Sequence, residues 1–325
     1  MTRRRQVLTA GLGMLGGSAG LHPARAQTYP SSPIRIFCGF PAGGGGDIIV
    51  RWLGDKLRER AGQPVVVDNR AGAMGNIAAD AAAKARPDGY NLIMMPSTVA
   101  AGNAHLFKRP AFDILRDFEP LCTLCRLGFV LMVNPEKVPV SSVAELTAWL
   151  RARKGDATFG SPGTSALVCA ELYKSRAGVG AFAVSYRGMA AALIDMANKQ
   201  LDFLFVDAAL ALEPVRDGRF RALAVTTEDR VPFFPGVPSM AEAGVPGYAF
   251  DTWWAAYVPA GTPAPIAARL SGWLREIVAL EETRSFLAGI GTEPMAHPPE
   301  QIRTLLQEDL QHWAELVRLA GIEPQ

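Results

Sequence analysis

The chain alternates short apolar runs with amphipathic stretches, and this alternation constrains its fold more than any other feature. Near the N-terminus the apolar pattern predicts strand 34–40, helix 47–61, strand 64–68, helix 77–85 and strand 90–95. A β-α-β-α-β order is typical of a parallel, right-handed, doubly wound sheet. The first part of the chain is therefore predicted to be an α/β unit.

A second unit of the same kind begins near residue 124. Its predicted strands are 129–133, 157–160, 183–186, 201–206 and 221–226, with helices after the cap Ser142 and after the turn 161–165. Strand 252–258 returns to the first unit, and helices at about 265–280 and 299–319 close the chain. We predict two lobes, each a doubly wound and mainly parallel sheet, joined by two crossing strands that act as a hinge. Lobe 1 comprises residues 27–123 and 251–325, and lobe 2 comprises residues 124–250.

The first 26 residues have the pattern of a signal peptide. Arg3, Arg4 and Arg5 precede an uncharged stretch of about 15 residues, and Ala24-Arg-Ala26 is a small-x-small cleavage site. That stretch is shorter than the roughly 20 residues of a membrane span, so cleavage before Gln27 and export to the periplasm are expected. The arginines also resemble a twin-arginine signal, although the usual Phe is missing, which leaves the Tat and Sec routes open.

Charge and length exclude several classes of protein. The chain has 33 Lys+Arg and 31 Asp+Glu, but four of the arginines lie in the signal, so 29 basic residues face 31 acidic ones in the mature chain. Nothing suggests a nucleic-acid partner or a membrane span, and a monomer is expected. The cysteines Cys38, Cys122, Cys125 and Cys169 are expected to be buried free thiols, because a CxxC within a strand holds its two Cα atoms about 10 Å apart.

Three turns supply candidate anion-binding groups. In the turn 40–47, four glycines precede Asp47 at a predicted helix start, where exposed backbone N–H groups form an anion nest. Dinucleotide binding is disfavoured because Ile48 stands where GxGxxG requires glycine. Asp47 is expected to cap the helix and to pair with Arg51. The turn 161–165 adds hydroxyl donors or is an ordinary capping turn. The turn 71–76 offers a third helix start, with Asn76 as the predicted cap of the helix 77–85.

Several segments together resemble the solute receptors of tripartite tricarboxylate transporters, the Bug or TctC-like family. The segments are Pro33-Ile-Arg-Ile36, Phe40-Pro-Ala-Gly-Gly-Gly45, Gln63-Pro-Val-Val-Val-Asp-Asn-Arg70, Gly75-Asn76, Pro87-Asp-Gly-Tyr90, Val133-Asn-Pro135, Tyr186-Arg-Gly188, Leu223-Ala-Val-Thr226, Val245-Pro-Gly-Tyr248 and Pro259-Ala-Gly-Thr-Pro263. The resemblance implies a two-lobed, type II-like Venus-flytrap fold and a periplasmic receptor for small organic carboxylates. Such a receptor either hands its ligand to a membrane permease of the TctA/TctB kind or serves as a ligand sensor.

Ligand binding is predicted for one set of residues in these turns. They are Phe40, Ala42, Gly43, Gly44, Gly46, Asp47, Gly75, Asn76, Ser97, Ser161, Gly163, Thr164, Ser165, Tyr186, Met189 and Asp207. No catalytic residue, metal or cofactor is expected, since the mature chain has only His105, His297 and His312 and lacks HExxH and GxSxG motifs. An exported hydrolase that uses a serine of the turn 161–165 is the alternative.

The sequence departs from the family's pattern at the predicted cleft. Gly46, Met189 and Leu210 stand where the family usually has a hydroxyl, and Asp207 stands where it usually has an amide. A ligand charged all round, such as citrate, would leave polar groups unpaired at these positions and would be repelled by Asp207. We therefore expect an aromatic monocarboxylate or an amino acid in preference to citrate, unless Asp207 is solvated or merely caps the next helix.

Overall fold

The computed structural model describes residues 29–324. The predicted signal peptide, residues 1–26, lies outside the described residues. Within residues 29–324 no helix combines the length and the apolar character that a membrane crossing requires.

The order of elements follows the predicted alternation, with additional short helices. The strands are β1 Ile34–Cys38, β2 Val65–Asn69, β3 Asn91–Pro96, β4 Phe118–Val133, β5 Thr158–Ser161, β6 Phe182–Ser185, β7 Leu204–Asp207, β8 Arg221–Val225, β9 Asp251–Pro259 and β10 Glu293–Pro294. The helices are α1 Gly45–Ala61, α2 Asn76–Ala83, α3 Asn103–Leu106, α4 Ile114–Asp117, α5 Val143–Ala152, α6 Thr164–Ala177, α7 Met189–Ala197, α8 Ala208–Arg216, α9 Ala264–Ala279, α10 Glu281–Gly289 and α11 Pro299–Leu319. A 3₁₀ turn over Ala73–Gly75 precedes α2, and a π-helical turn over Thr98–Gly102 precedes α3.

The sheet of lobe 1 has the strand order β2-β1-β3-β9-β4-β10. β1 runs parallel to both β2 and β3, as the β-α-β pattern predicts, whereas β9 is antiparallel to β3 and β4. Because the carboxyl ends of β1 and β3 meet at one edge, the turn after Cys38 and the segment after Pro96 lie side by side. This is the edge at which open α/β sheets bind ligands.

Lobe 2 repeats the arrangement with fewer parallel pairs. β5 is parallel to β6, and β4 is antiparallel to β7 and β8. A parallel bridge between Phe159 of β5 and Phe203, the residue before β7, connects the two groups of strands. Each lobe therefore has a mixed sheet, in which the antiparallel pairs involve the strands that cross between the lobes.

The strand β4 connects the two lobes. Its residues from Phe118 to Gly128 pair with β9, and its residues from Phe129 to Val133 pair with β7 and β8. The return crossing lies at Phe250, whose N–H donates to the carbonyl of Thr226 at 2.7 Å just before β9 begins. The lobe boundary at residue 124 stays a prediction. β4 changes its partner from β9 to β7 between Gly128 and Phe129, a few residues beyond that boundary.

Apolar side chains on both faces of the two sheets form the core. In α1 the buried face comprises Ile49, Val50, Leu53 and Leu57. Trp52 lies at the edge of this face, where its ring stacks on Phe286 of α10 with the ring centroids 4.1 Å apart and is only partly covered.

The four cysteines are buried free thiols. Burial raises the pKa of Cys38 to about 11, and it raises the pKa values of Cys122 and Cys125 to about 12. Because the thiolate is the reactive form, these side chains are chemically inert in the folded protein.

Candidate functional site

The glycine-rich turn leads directly into α1. The helix begins at Gly45, and its N-cap is Gly44, which provides no side-chain cap. Asp47 is therefore in the first turn of the helix, and the prediction that it is the N-cap was wrong. Its carboxylate Oδ2 reaches back to accept the N–H of Gly43 at 2.8 Å, which fixes the turn from within the helix.

Asp47 is held by a small buried network. Arg51 Nε donates to Asp47 Oδ2 at 2.8 Å, as predicted, and Asn69 Nδ2 donates to Asp47 Oδ1 at 2.7 Å. Burial alone would raise the pKa of Asp47, but the hydrogen bonds from Arg51, Asn69 and Gly43 outweigh it and lower the pKa below its usual value. The carboxylate is thus ionised and fully engaged, so it shapes the turn and is not presented to the cleft.

Two aromatic rings cover the start of α1. The rings of Phe40 and Trp254 lie 5.2 Å apart, and a β-carbon at Gly46 would lie 2.7 Å from an atom of each ring. Gly46 is therefore required by this packing, which explains why a hydroxyl residue does not stand there. The pair gives lobe 1 an apolar wall beside the turn, with Trp254 only 3% exposed.

The segment before α2 holds an unusual backbone conformation. Ala73 and Met74 have φ values of 44° and 53°, which non-glycine residues rarely adopt, and Gly75 has a φ of 92°. Asn76 is the first residue of α2, and the prediction that it caps the helix was wrong, since the N-cap is Gly75 without a side-chain bond. Strain of this kind, costing of order 1–3 kcal/mol per residue, is concentrated at functional sites.

A buried cluster of amides and hydroxyls joins the lobes beside Asn76. Asn103 Nδ2 donates to the carbonyl oxygen of Met74 and to Asn76 Oδ1, both at 3.0 Å. From lobe 2, the hydroxyl of Thr164 donates to Asn103 Oδ1 at 2.8 Å. Thr164 is the first residue of α6, so this bond brings the N-terminus of α6 to the N-terminus of α2.

The turn 161–165 has no side-chain cap. Gly163 is the N-cap of α6, with Ser161 and Thr164 buried and Ser165 half-buried, so the capping-turn interpretation was wrong for these hydroxyls. Around Gly163 there is open space on the side where a β-carbon would point. The neighbouring Tyr186 donates its hydroxyl to Asp195 Oδ2 at 2.8 Å, and burial together with this bond raises its pKa to about 12.

Asp207 faces lobe 1 from the end of β7. Its Oδ1 accepts the N–H of Leu210 at 3.2 Å, so it is the N-cap of α8, as the alternative interpretation expected. The same carboxylate abuts Gly45 at the start of α1, where a β-carbon would lie 3.0 Å from Asp207 Cγ. Burial raises the pKa of Asp207 to about 6, although the N–H of Leu210 and its own N–H lower it.

The remaining predicted residues surround these contacts. Ser97 is buried, and its hydroxyl lies 3.1 Å from that of Thr252. Gly188, which precedes Met189, lies against Pro41, which precedes Ala42 in the glycine-rich turn. The lobes therefore meet where the turns were predicted to converge. The sequence did not reveal Asn103, Thr252 or Trp254, because a single amide, hydroxyl or ring carries no local motif. Gly45 lies within the predicted glycine-rich turn, but it is absent from the predicted set of binding residues.

The described residues do not suggest a metal centre. Within residues 29–324 no group of three or more His, Cys, Asp or Glu side chains is placed to hold a metal ion. Three helix N-termini, those of α1, α2 and α6, instead converge where the two lobes meet. Such termini bind anions through unpaired N–H groups and the helix dipole.

Two lobes, a strand that crosses between them and helix N-termini facing one cleft define a periplasmic-type solute-binding protein. The sequence matches the tripartite tricarboxylate transporter family receptor over residues 49–322. The chain belongs to this family of receptors, which are periplasmic binding proteins and not enzymes.

Individual relatives are similar to this protein over almost the whole chain. The chain is 34% identical to the protein BugT of Bordetella pertussis over 318 residues, which cover 97% of each protein. It is similar to Rpa4515 of R. palustris, solved with adipate, with a TM-score of 0.88 and 31% identity over 91% of this chain and 100% of that one. MatC from Rhodopseudomonas palustris, solved with bound malate, has a TM-score of 0.83 and 25% identity over 89% of this chain and 100% of that one.

Proposed function

We propose that this protein captures a small organic carboxylate between its lobes, for uptake or for sensing. The observation that carries the proposal is the meeting of the N-termini of α1, α2 and α6 where the lobes touch, through the Asn76–Asn103–Thr164 hydrogen bonds and the contact of Gly45 with Asp207. The relatives solved with adipate and malate support the same class of ligand. The hydrolase alternative gains no support from the relatives.

The ligand carboxylate binds at the α2 and α6 end of the cleft. Asn76 stands at the start of α2, and Gly163 leaves open space beside the start of α6, which no side chain caps. The third terminus is less available, because the carboxylate of Asp207 already abuts Gly45 at the start of α1. Two carboxylates competing for one helix terminus would repel each other, so the acidic end of the ligand is directed away from α1.

The opposite end of the ligand is less polar or carries an amine. It meets Asp207 and the half-buried ring of Phe40, behind which Trp254 packs, with the partly buried side chains of Met189 and Leu210 nearby in lobe 2. An ammonium would pair with the carboxylate, and an aromatic ring would pack on the wall. An aromatic monocarboxylate or an amino acid therefore fits better than citrate.

A panel of acids tests the proposal. We expect benzoate-type acids or amino acids to raise the melting temperature of the mature protein and to bind in the micromolar range or tighter by calorimetry. Ester hydrolysis is measured in parallel with p-nitrophenyl acetate. Hydrolysis that is lost in a Ser161→Ala variant, with no acid bound, would establish the hydrolase alternative instead.

The cellular setting follows from the predicted signal peptide. We expect a periplasmic protein that begins at Gln27, is exported by the Tat or Sec route, acts as a monomer and, where it serves uptake, delivers its ligand to a TctA/TctB-like permease. N-terminal sequencing of the protein from a periplasmic extract checks the cleavage site. A chain that retains Met1 and stays with the membrane fraction would contradict it.

A further inference from the structure

Asn103 is the point at which the two lobes share a buried hydrogen bond. It is 2% exposed, and its partner Thr164 is 4% exposed. The distance from Thr164 Oγ1 to Asn103 Oδ1 is 2.8 Å. A second hydrogen bond between the lobes, from the hydroxyl of Ser175 to the carbonyl of Leu319, is exposed to water and so contributes less.

The partners of Asn103 fix the direction of every hydrogen bond in the cluster. The carbonyl of Met74 can only accept, so the atom of Asn103 that faces it is the amide nitrogen. The same nitrogen faces Asn76, which must therefore present its oxygen and turn its own NH₂ group away from Asn103. The side-chain oxygen of Asn103 accepts a hydrogen bond from the hydroxyl of Thr164. The Thr164 hydroxyl has then used its proton, so it can only accept any further hydrogen bond.

We propose that Asn103 is a positioning residue of the ligand site, which latches the lobes together through Thr164 and orients Asn76 as a donor. This inference rests on the proposed function, and it makes Asn76 the side chain that donates to a ligand carboxylate. Thr164 becomes an acceptor, which corrects its predicted role as a donor. The latch consists of the protein's own atoms, so it favours closure whether or not a ligand is bound.

Distances between the lobes test the latch without a ligand. Spin labels are placed on cysteines introduced at Glu59 of α1 and Glu213 of α8, both exposed, and the buried native thiols do not react. We expect Asn103→Ala and Thr164→Val each to reduce the short-distance population at least fivefold. The double variant should be no more open than Asn103→Ala, because either change removes the same bond. Thr164→Ser, which keeps the hydroxyl, should restore closure.

Thr158→Val is the matched control, since the hydroxyl of Thr158 bonds only within lobe 2, to the carbonyl of Gln200 and to Asp202. Distances are compared at a temperature at which circular dichroism shows every variant folded. If Asn103→Ala does not fold, comparing Thr164→Val with Thr164→Ser still shows whether the hydroxyl of Thr164 holds the lobes closed. A distance distribution that is unchanged in Thr164→Val, or equally broadened in Thr158→Val, would overturn the latch.

Calorimetry with benzoate, phenylalanine and adipate tests the orientation of Asn76. For whichever acid binds, Asn103→Ala should lose at least tenfold more affinity than Thr164→Val, because only Asn103→Ala frees Asn76 to turn. Equal losses would overturn the orienting role. If none of the acids binds the wild type, the proposed function is in question, while the distance measurement still decides the latch.

Discussion

Gly45→Val is expected to prevent the lobes from closing and to weaken carboxylate binding by at least 100-fold. A β-carbon at Gly45 would collide with the carboxylate of Asp207, and the two methyl groups of valine extend further into lobe 2. Asp207 cannot turn aside without losing its cap on Leu210. A 100-fold loss corresponds to about 2.7 kcal/mol. Calorimetry measures the affinity, and small-angle scattering measures whether the radius of gyration still falls when ligand is added.

Gly272→Val is the matched control for this substitution. Gly272 lies in α9, and nothing would contact a β-carbon there, so this variant should bind and close like the wild type. Adding Asp207→Ala to Gly45→Val should restore part of the closure, because it removes the group with which the valine collides. If Gly45→Val binds with wild-type affinity and shows the same ligand-induced change in radius as the wild type, the lobes do not meet at this point.

The sequence predicted the architecture because each strand and its turn carry a local pattern. β1, β2 and β3 follow from hydrophobic runs, and the turn after Cys38 follows from its glycines. Ser142 caps α5 as expected, with its hydroxyl accepting the N–H of Glu145. Recognition of the receptor family came from the same turns, and the match over residues 49–322 confirms it. Local chemistry was sufficient at these positions.

The contacts between lobes could not be predicted, because they join residues far apart in sequence. Asn103 and Thr164 are 61 positions apart, and nothing around either residue marks the other. The same limit explains the errors on capping. Asp47, Asn76 and Thr164 are all residue types that favour N-caps, but each instead binds a group brought by another segment or by the turn itself.

The role of Asp207 depends both on its local sequence position and on a contact with a residue far away in the sequence. The sequence predicted either a cap or a residue of the cleft, and the structure shows that Asp207 caps α8 and also abuts Gly45 of lobe 1. Asparagine is as good an N-cap as aspartate, so the amide usual in the family would cap α8 equally well. The choice of aspartate here therefore concerns the cleft and not the stability of the helix.

Asp207→Asn is expected to increase the affinity for adipate at pH 8 by ten- to 100-fold and to leave benzoate binding nearly unchanged. Two carboxylates about 6 Å apart repel each other by roughly 3 kcal/mol at an effective dielectric constant of about 20, and the variant removes this repulsion. An amino acid should bind the variant more weakly, because its ammonium loses its partner. Calorimetry with the three ligands on both proteins measures these differences.

The pH dependence separates this electrostatic explanation from a change of shape. Burial raises the pKa of Asp207 to about 6, so the group is ionised at pH 8 and mostly neutral at pH 5. The advantage of Asp207→Asn for adipate should therefore be largest at pH 8 and should shrink towards none at pH 5. The titration of adipate itself cancels in the ratio of the two affinities. Asp217→Asn, an exposed change at the other end of α8, should leave that ratio at one throughout. If Asp207→Asn gives the same ratio at both pH values, its charge does not select the ligand.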